Sequence, residues 1–158
     1  MFKIGDKVVY PMHGAGIIES IEEREVLGET RSYYIMRIAI GDMKVMVPMD
    51  NVQDIGLRQV IGTQEMSEVL GVLQEKSNTM NVNWNKRYRA NMDKIKSGNI
   101  FEVAEVVRNL TIRDKDKGLS TGERKMLESA KRILISELVL VKDIAEEQVE
   151  DLLHKALT

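Results

Sequence analysis

The first sixty residues alternate apolar and polar side chains with a period of two, which is the spacing of half-buried β-strands. Short apolar runs predict four strands, at residues 6–10, 17–21, 33–40 and 43–47. Residues 11–16 (PMHGAG) predict a turn-rich loop, and Gly41-Asp42 predicts a tight turn into the fourth strand. Pro48 is expected to end that strand, because proline has no N–H to donate to the sheet. Short strands with little else between them predict a small barrel of the SH3 or Tudor kind.

From about residue 61 the apolar spacing changes to about 3.6 residues, which predicts amphipathic helices. Five helices are indicated, with apolar stripes that start at Met66, Tyr88, Val103, Met126 and Val149. A polar linker is predicted at residues 77–81 and a charged turn at residues 113–118. The predicted class is therefore α+β, with a small Tudor/SH3-like β-barrel domain at 1–60 and an all-α bundle of about five helices at 61–158.

Short polar side chains mark where these helices should begin. Thr63 and Asn99 stand at positions suited to N-caps, whose side-chain oxygen accepts a hydrogen bond from a free N–H group of the first turn. Ser120 and Glu123 match a capping box, in which each side chain bonds the other residue's backbone N–H. Helix ends are predicted at Ser97-Gly98 and at Asp143.

Composition narrows the chemistry that the chain can carry. Hydrophobic residues make up 43% and charged residues 30%, as in ordinary globular proteins. There is no cysteine, and the two histidines, His13 and His154, have no metal-binding spacing. No glycine-rich nucleotide-binding loop is present. We therefore expect a non-enzyme without metal or cofactor, and the absence of a signal peptide or membrane-length apolar run predicts a cytoplasmic protein.

The net charge of −2 conceals a basic middle segment. Residues 81–135 hold thirteen Lys or Arg against seven Asp or Glu, whereas residues 136–158 hold two against six. A basic segment in an acidic protein indicates either a local anionic partner or only a solvated helical face. The charge alone does not separate these two interpretations.

The lone tryptophan lies in that basic segment. Trp84 is followed within five residues by Lys86, Arg87 and Arg89, and Tyr88 stands one helical turn away on the same face. In one interpretation Trp84 only extends the apolar stripe of its helix. In the other, a flat ring at a helix start stacks on a base or enters a DNA groove while the cations hold phosphates.

A second basic pair, Arg124-Lys125, lies in the first turn of the capping-box helix and would extend such a phosphate-binding surface. Four or five phosphate contacts give only weak and nonspecific affinity, and the protein is acidic overall. A partner that tethers it near DNA would raise the local DNA concentration to roughly millimolar. The β domain is the natural site for that partner.

Four segments together resemble the CarD/CdnL family of bacterial transcription regulators. They are FKIGDKVVYPMHGAG, NWNKRYRANMDKIKSGN, EVAEVVRNL and KGLSTGERKML. The resemblance covers essentially the whole chain, and its first part is also similar to the polymerase-interacting module of the transcription-repair coupling factor. It implies a Tudor-like domain on the β subunit of RNA polymerase and a helical domain at the upstream edge of the promoter bubble.

The resemblance also implies roles for individual residues. Trp84 would wedge into the distorted minor groove and slow bubble collapse. The cations expected on the DNA backbone are Lys86, Arg87, Arg89 and Arg124. Arg24 matches a polymerase contact of the family. Some relatives use an arginine at the position of Met46, two residues before Pro48, so this part of the polymerase contact would be apolar here.

Two alternatives differ from this hypothesis in how the protein meets DNA. A protein-only adaptor would sit on RNA polymerase without touching DNA, its basic helices facing an acidic partner. A sequence-specific repressor would bind one site tightly by itself, which the acidic balance disfavours. We expect a monomer, associated with the nucleoid through RNA polymerase.

Overall fold

The alternating first part of the chain forms an antiparallel sheet. The computed structural model describes residues 2–76 and 83–158, so the predicted linker at 77–81 lies outside the described residues. The strands are β1 (Lys7–Tyr10), β2 (Gly14–Val26), β3 (Glu29–Ile38), β4 (Lys44–Pro48) and β5 (Arg58–Gln59). They lie in the order β4-β3-β2-β1-β5, and these pairings are antiparallel. One face of the sheet carries the apolar core of this half, which includes Val8, Ile18, Tyr34, Met36 and Val47.

Backbone geometry explains where the sheet departs from the predicted strands. Residues 14–16 belong to β2 and not to the predicted loop, because they pair with residues 8–10 of β1. A Cβ atom on Gly16 would overlap the Arg37 carbonyl of β3, so this position requires glycine. Leu27-Gly28, with φ of +52° and +81°, joins β2 to β3 through the two positive φ angles of a type I′ turn. The predicted turn at Gly41-Asp42 is confirmed, with φ of +79° and +51°.

The second part of the chain forms the predicted helices. A one-turn helix, α1 (Val52–Ile55), precedes β5, and five longer helices follow in the described residues. They are α2 (Thr63–Gln74), α3 (Trp84–Lys96), α4 (Ile100–Asp116), α5 (Thr121–Lys142) and α6 (Glu146–Leu157). Helix α5 contacts the other four around a core that includes Val69, Leu110, Leu134, Leu138 and Val149. The predicted α+β class, a Tudor-like sheet followed by about five helices, is confirmed.

The start of α4 and the ends of α3 and α5 follow the prediction. The Asn99 side chain caps α4 and accepts a hydrogen bond from the Phe101 N–H at 2.8 Å. Ser97 ends α3. Asp143, with φ of +54°, ends α5 in the left-handed conformation that aspartate tolerates better than most residues.

Two predicted helix boundaries are wrong. Thr63 is the first residue of α2 and not its cap, because the cap position falls on Gly62, whose N–H donates to the Glu65 carboxylate. The charged turn predicted at 113–118 is helical in its first four residues, because α4 continues to Asp116. The chain turns at Gly118, the last residue of the predicted turn, where φ is +77°.

The sheet packs directly on the C-terminal half of α5. The buried Ala15 N–H donates to Ser136 Oγ at 2.8 Å, and Lys7 Nζ donates to the Leu140 carbonyl at 3.1 Å. Arg58 makes two hydrogen bonds of 2.8 Å to the buried carboxylate of Glu137. These contacts fix the position of the helices relative to the sheet.

Candidate nucleic-acid interface

Trp84 lies where the N-terminal ends of α3 and α5 meet. It is the first residue of α3, directly after the N-cap Asn83. Its indole stacks on Tyr88, with ring centroids 4.9 Å apart and an interplanar angle of 20°. The indole N–H donates to the hydroxyl of Ser120, the N-cap of α5, at 3.0 Å. The tryptophan therefore bridges the two helix starts.

The indole is neither buried in the core nor free in solvent. Tyr88 and Met92 pack against the helical core, whereas Trp84 is 42% exposed and lies beyond that stripe. An aromatic ring that is held on one side and exposed on another is suited to stacking against a partner. The interpretation of Trp84 as only an extension of the core stripe does not fit this position.

A buried ion pair lies beneath the tryptophan. Arg87 Nε donates to Glu123 Oε2 at 2.7 Å, and both side chains are 2% exposed. The expectation that Arg87 contacts the DNA backbone is therefore corrected, because its guanidinium is enclosed against a carboxylate. We leave Arg87 out of the candidate surface.

Glu123 explains why the capping box differs from the prediction. The Ser120 hydroxyl accepts the Glu123 N–H at 3.2 Å, as predicted, but it also donates to Glu123 Oε1 at 3.3 Å. The carboxylate thus joins Ser120 to Arg87. Burial alone would raise the pKa of Glu123, but the hydrogen bond and charge of Arg87 outweigh it and hold that pKa below its usual value. Glu123 is therefore ionised at neutral pH and offsets the buried charge of Arg87.

The remaining predicted DNA-binding cations are exposed. Lys86 and Arg89 lie in the first two turns of α3, and Arg124 and Lys125 lie in the first turn of α5. The positive ends of both helix dipoles point to the same region, which favours an anion there. We call Trp84 and these four cations the helix-start surface.

Arg24, Met46 and Pro48 lie on the outer face of the sheet, opposite its core. Arg24 is exposed and forms an ion pair of 2.9 Å with Glu22. Met46 is 41% exposed on the edge strand β4. Cross-strand pairing puts the three on one face: Arg24 pairs with Arg31, Met46 with Ile35, and Pro48 with Tyr33.

Sequence reasoning missed the structural role of Arg87 and the contact of Ser120 with Trp84. The buried residues of α3 are Arg87, Asn91 and Ile95, at the four-residue spacing of one helix face, but only Ile95 is apolar, so the apolar pattern did not indicate that Arg87 turns inward. No local signal pointed to the second, because Ser120 and Trp84 are 36 residues apart.

The described residues form two parts, a small β-sheet that packs on a group of helices and, at two of the helix starts, an exposed aromatic ring. Within residues 2–76 and 83–158, no group of His, Asp and Glu side chains is arranged to hold a metal ion. None of the described helices combines the length and apolar character needed to cross a membrane.

Two family models match the chain, and together they cover most of it. The model described as CarD-like/TRCF RID domain matches residues 2–61, and the model described as CarD, C-terminal domain matches residues 68–154. The chain belongs to the CarD family and is a CarD-like transcription factor. This is a family of transcription factors and not of enzymes.

The chain is also similar to one curated protein and to two solved structures. The chain is 45% identical over 150 residues to YdeB of Bacillus subtilis (strain 168), which is named as a candidate transcription factor; the match covers 95% of this chain and 98% of that protein. The solution structure of the 72-residue N-terminal domain of Myxococcus xanthus CarD is 36% identical, covering 37% of this chain and 79% of that one, with a TM-score of 0.33. The N-terminal part of CdnL from the same organism is 42% identical, covering 39% and 86%, also with a TM-score of 0.33.

Proposed function

We propose that this protein binds the β subunit of RNA polymerase through its sheet and stabilises the open promoter complex through the helix-start surface. The DNA contact would lie at the upstream edge of the bubble. The observation that carries the proposal is the exposed Trp84 ring, held between two helix N-termini with exposed cations on both helices. The description of the N-terminal family model, CarD-like/TRCF RID domain, supports the polymerase half. The protein acts in the cytoplasm, as a monomer on polymerase at the nucleoid.

Promoter opening is an equilibrium between a closed and an open state. A protein that contacts only the open geometry shifts this equilibrium by its difference in affinity for the two states. An aromatic ring that stacks on a base contributes about 1–3 kcal/mol by substitution. A stacked Trp84 would therefore lengthen the life of the open complex by about five- to 150-fold.

Charge explains why the two domains must work together. The four exposed cations would give a salt slope of about −3.6 if each contacted one phosphate. That is too few contacts for tight binding by a protein whose net charge is −2. Binding to polymerase raises the local DNA concentration, so a weak surface then suffices. Such contacts hold the phosphate backbone and carry little sequence preference.

The proposal is tested by the lifetime of a competitor-challenged open complex formed by the cognate RNA polymerase. The protein should lengthen this lifetime, and Trp84→Ala should remove about five- to 150-fold of it, the contribution of one stacked ring. Binding of the variant to polymerase should be unchanged, because Trp84 contacts Tyr88 and Ser120 at the helix starts and not the sheet. Ile4→Ala, which also removes an exposed apolar side chain but lies outside the strands, is the matched control.

An unchanged lifetime with Trp84→Ala would remove the ring from the mechanism. If wild-type protein bound polymerase but left the lifetime unaltered, the protein would be an adaptor without a DNA contact. The basic helices would then face a protein partner.

A further inference from the structure

We propose that Ser120 is the positioning residue for Trp84, so that the indole is fixed in its DNA-contacting orientation before DNA arrives. The inference rests on the proposed function, because it concerns how the same surface works. It is carried by two contacts of the indole itself, one with Tyr88 of its own helix and one with Ser120, the N-cap of α5.

Two independent contacts hold the ring. Stacking on Tyr88 sets the plane of the indole, since the centroids are 4.9 Å apart and the planes differ by 20°. The hydrogen bond from the indole N–H to Ser120 Oγ, at 3.0 Å, then sets the direction of the ring within that plane. A Cβ atom placed on Gly122 would lie 3.7 Å from Trp84 Cζ2, so the same edge of the indole faces α5. The opposite edge is turned away from α5, where a partner can approach.

Ser120 is itself held firmly. Its hydroxyl accepts the Glu123 N–H and donates to the Glu123 carboxylate, which pairs with Arg87. Arg87 lies one turn along the helix that Trp84 begins. The starts of α3 and α5 are therefore joined at two points. One is the Trp84–Ser120 hydrogen bond and the other is the Arg87–Glu123 ion pair, and the Ser120–Glu123 hydrogen bonds connect them. The indole therefore donates to an exposed serine whose hydroxyl is in turn hydrogen-bonded to the carboxylate of a buried ion pair.

The contacts with Tyr88 and Ser120 preorganise the indole for binding. A side chain that already occupies its bound rotamer loses little conformational freedom on binding, and the apparent affinity scales with the populated fraction of the competent state. A net hydrogen bond changes an equilibrium constant by about two- to twelvefold. Removing the Ser120 acceptor should therefore shorten the life of the open complex by that factor, less than the loss of the whole ring.

Ser120 also caps α5, so the variants must separate capping from positioning. Ser120→Gly keeps most of the capping, because glycine is an acceptable N-cap, but it removes the acceptor for the indole. Ser120→Thr keeps both functions. Asn99→Gly makes the corresponding change at the cap of α4, which has no contact with Trp84 among the described hydrogen bonds.

Trp84 is the only tryptophan, so fluorescence excited selectively at tryptophan, and not at the four tyrosines, reports on this ring alone. We expect Ser120→Gly to increase collisional quenching by acrylamide and to shift the emission, while Ser120→Thr and Asn99→Gly match the wild type. In the open-complex assay, Ser120→Gly should shorten the lifetime about two- to twelvefold. The same change in a Trp84→Phe background should have almost no effect, because phenylalanine has no N–H to hold.

Unchanged quenching in Ser120→Gly would overturn the proposal, as would equal losses of lifetime in the tryptophan and phenylalanine backgrounds. Equal losses would mean that Ser120 acts only through the helix cap. The proposed function fails separately, if Trp84→Ala leaves the lifetime unaltered. In that case quenching alone decides whether Ser120 holds the ring.

Discussion

The ion pair between Arg87 and Glu123 places two charges in the interior between α3 and α5. Each side chain is 2% exposed, and the two are joined at 2.7 Å. A buried pair of this kind often stabilises a fold little more than apolar residues would, but removing one partner leaves a charge without compensation. We therefore interpret the ion pair as a contact that specifies how the starts of α3 and α5 pack together.

Glu123→Gln should lower the free energy of unfolding by about 3–5 kcal/mol at neutral pH, because Arg87 then stays buried without its counter-charge. Urea denaturation followed by circular dichroism measures this loss. Glu105→Gln is a matched control, since Glu105 pairs with Lys94 at the same 2.7 Å but the two side chains are 35% and 32% exposed. That control should cost no more than about 1 kcal/mol. Similar losses in both variants would contradict the structural role of the buried pair.

The same pair has a pH dependence of known sign. The pKa of Glu123 is lowered in the folded protein, so its stabilising contribution is complete at neutral pH. This contribution should disappear as the pH falls below the ordinary carboxyl pKa of about 4.3, toward the lowered value of the folded state. The Glu123→Gln chain should lack this part of the acid destabilisation, which the same urea measurement at several pH values detects.

At the scale of elements, the strands and helices with a clear period were predictable because periodicity is a local property. The ends of α3 and α5 were also predictable, since Ser97 and Asp143 act on their own turns. The extension of β2 to Gly14 was not, because three closely spaced glycine and alanine residues indicate a loop until their pairing with β1 is known. Leu27 gave no turn signal, since leucine is unusual at positive φ.

The helix-start surface was predictable from the sequence only in part. Trp84 and its exposed cations stand out by composition and spacing alone. The burial of Arg87 depends on Glu123, which is 36 residues away, so a basic cluster in the sequence could not reveal which cation turns inward. Pairing across that distance is decided by how α3 and α5 pack.

The outer face of the sheet is the element that our proposal assigns to polymerase. Arg24→Glu reverses the charge of an exposed side chain on this face and should weaken binding to the polymerase β subunit by about tenfold, or about 1.4 kcal/mol. Binding of labelled protein to polymerase, measured by fluorescence anisotropy, tests this. Lys142→Glu makes the same change in net charge at an exposed residue, the last of α5, and should bind polymerase normally. Equal affinity of both variants would argue against polymerase binding by this face.

At the scale of the whole molecule, binding of the sheet to polymerase assists DNA contact only if the sheet holds the helix-start surface where it can reach the DNA. Arg58 contributes most directly to this geometry. It makes two hydrogen bonds to the buried Glu137 of α5 and donates from Nε to the Gly98 carbonyl, in the turn between α3 and α4, at 2.8 Å. One side chain of β5 therefore holds both α5 and the turn that ends the tryptophan-bearing helix. The sheet and the helix-start surface are coupled through Arg58.

Arg58→Met should lower the free energy of unfolding by about 2–4 kcal/mol, because the Glu137 carboxylate then stays buried without its counter-charge. The loss is smaller than for a fully buried pair, since Arg58 is 30% exposed. Arg31→Met is the matched control, since Arg31 and Glu29 are also 2.8 Å apart but are 49% and 67% exposed, and it should cost at most about 1 kcal/mol. Urea denaturation gives both values.

In the open-complex assay Arg58→Met should shorten the lifetime while polymerase is still bound, because a sheet that no longer fixes the helices lowers the effective concentration of Trp84 at the bubble. A normal lifetime in a demonstrably destabilised Arg58→Met protein would mean that DNA contact does not depend on the angle between the two parts.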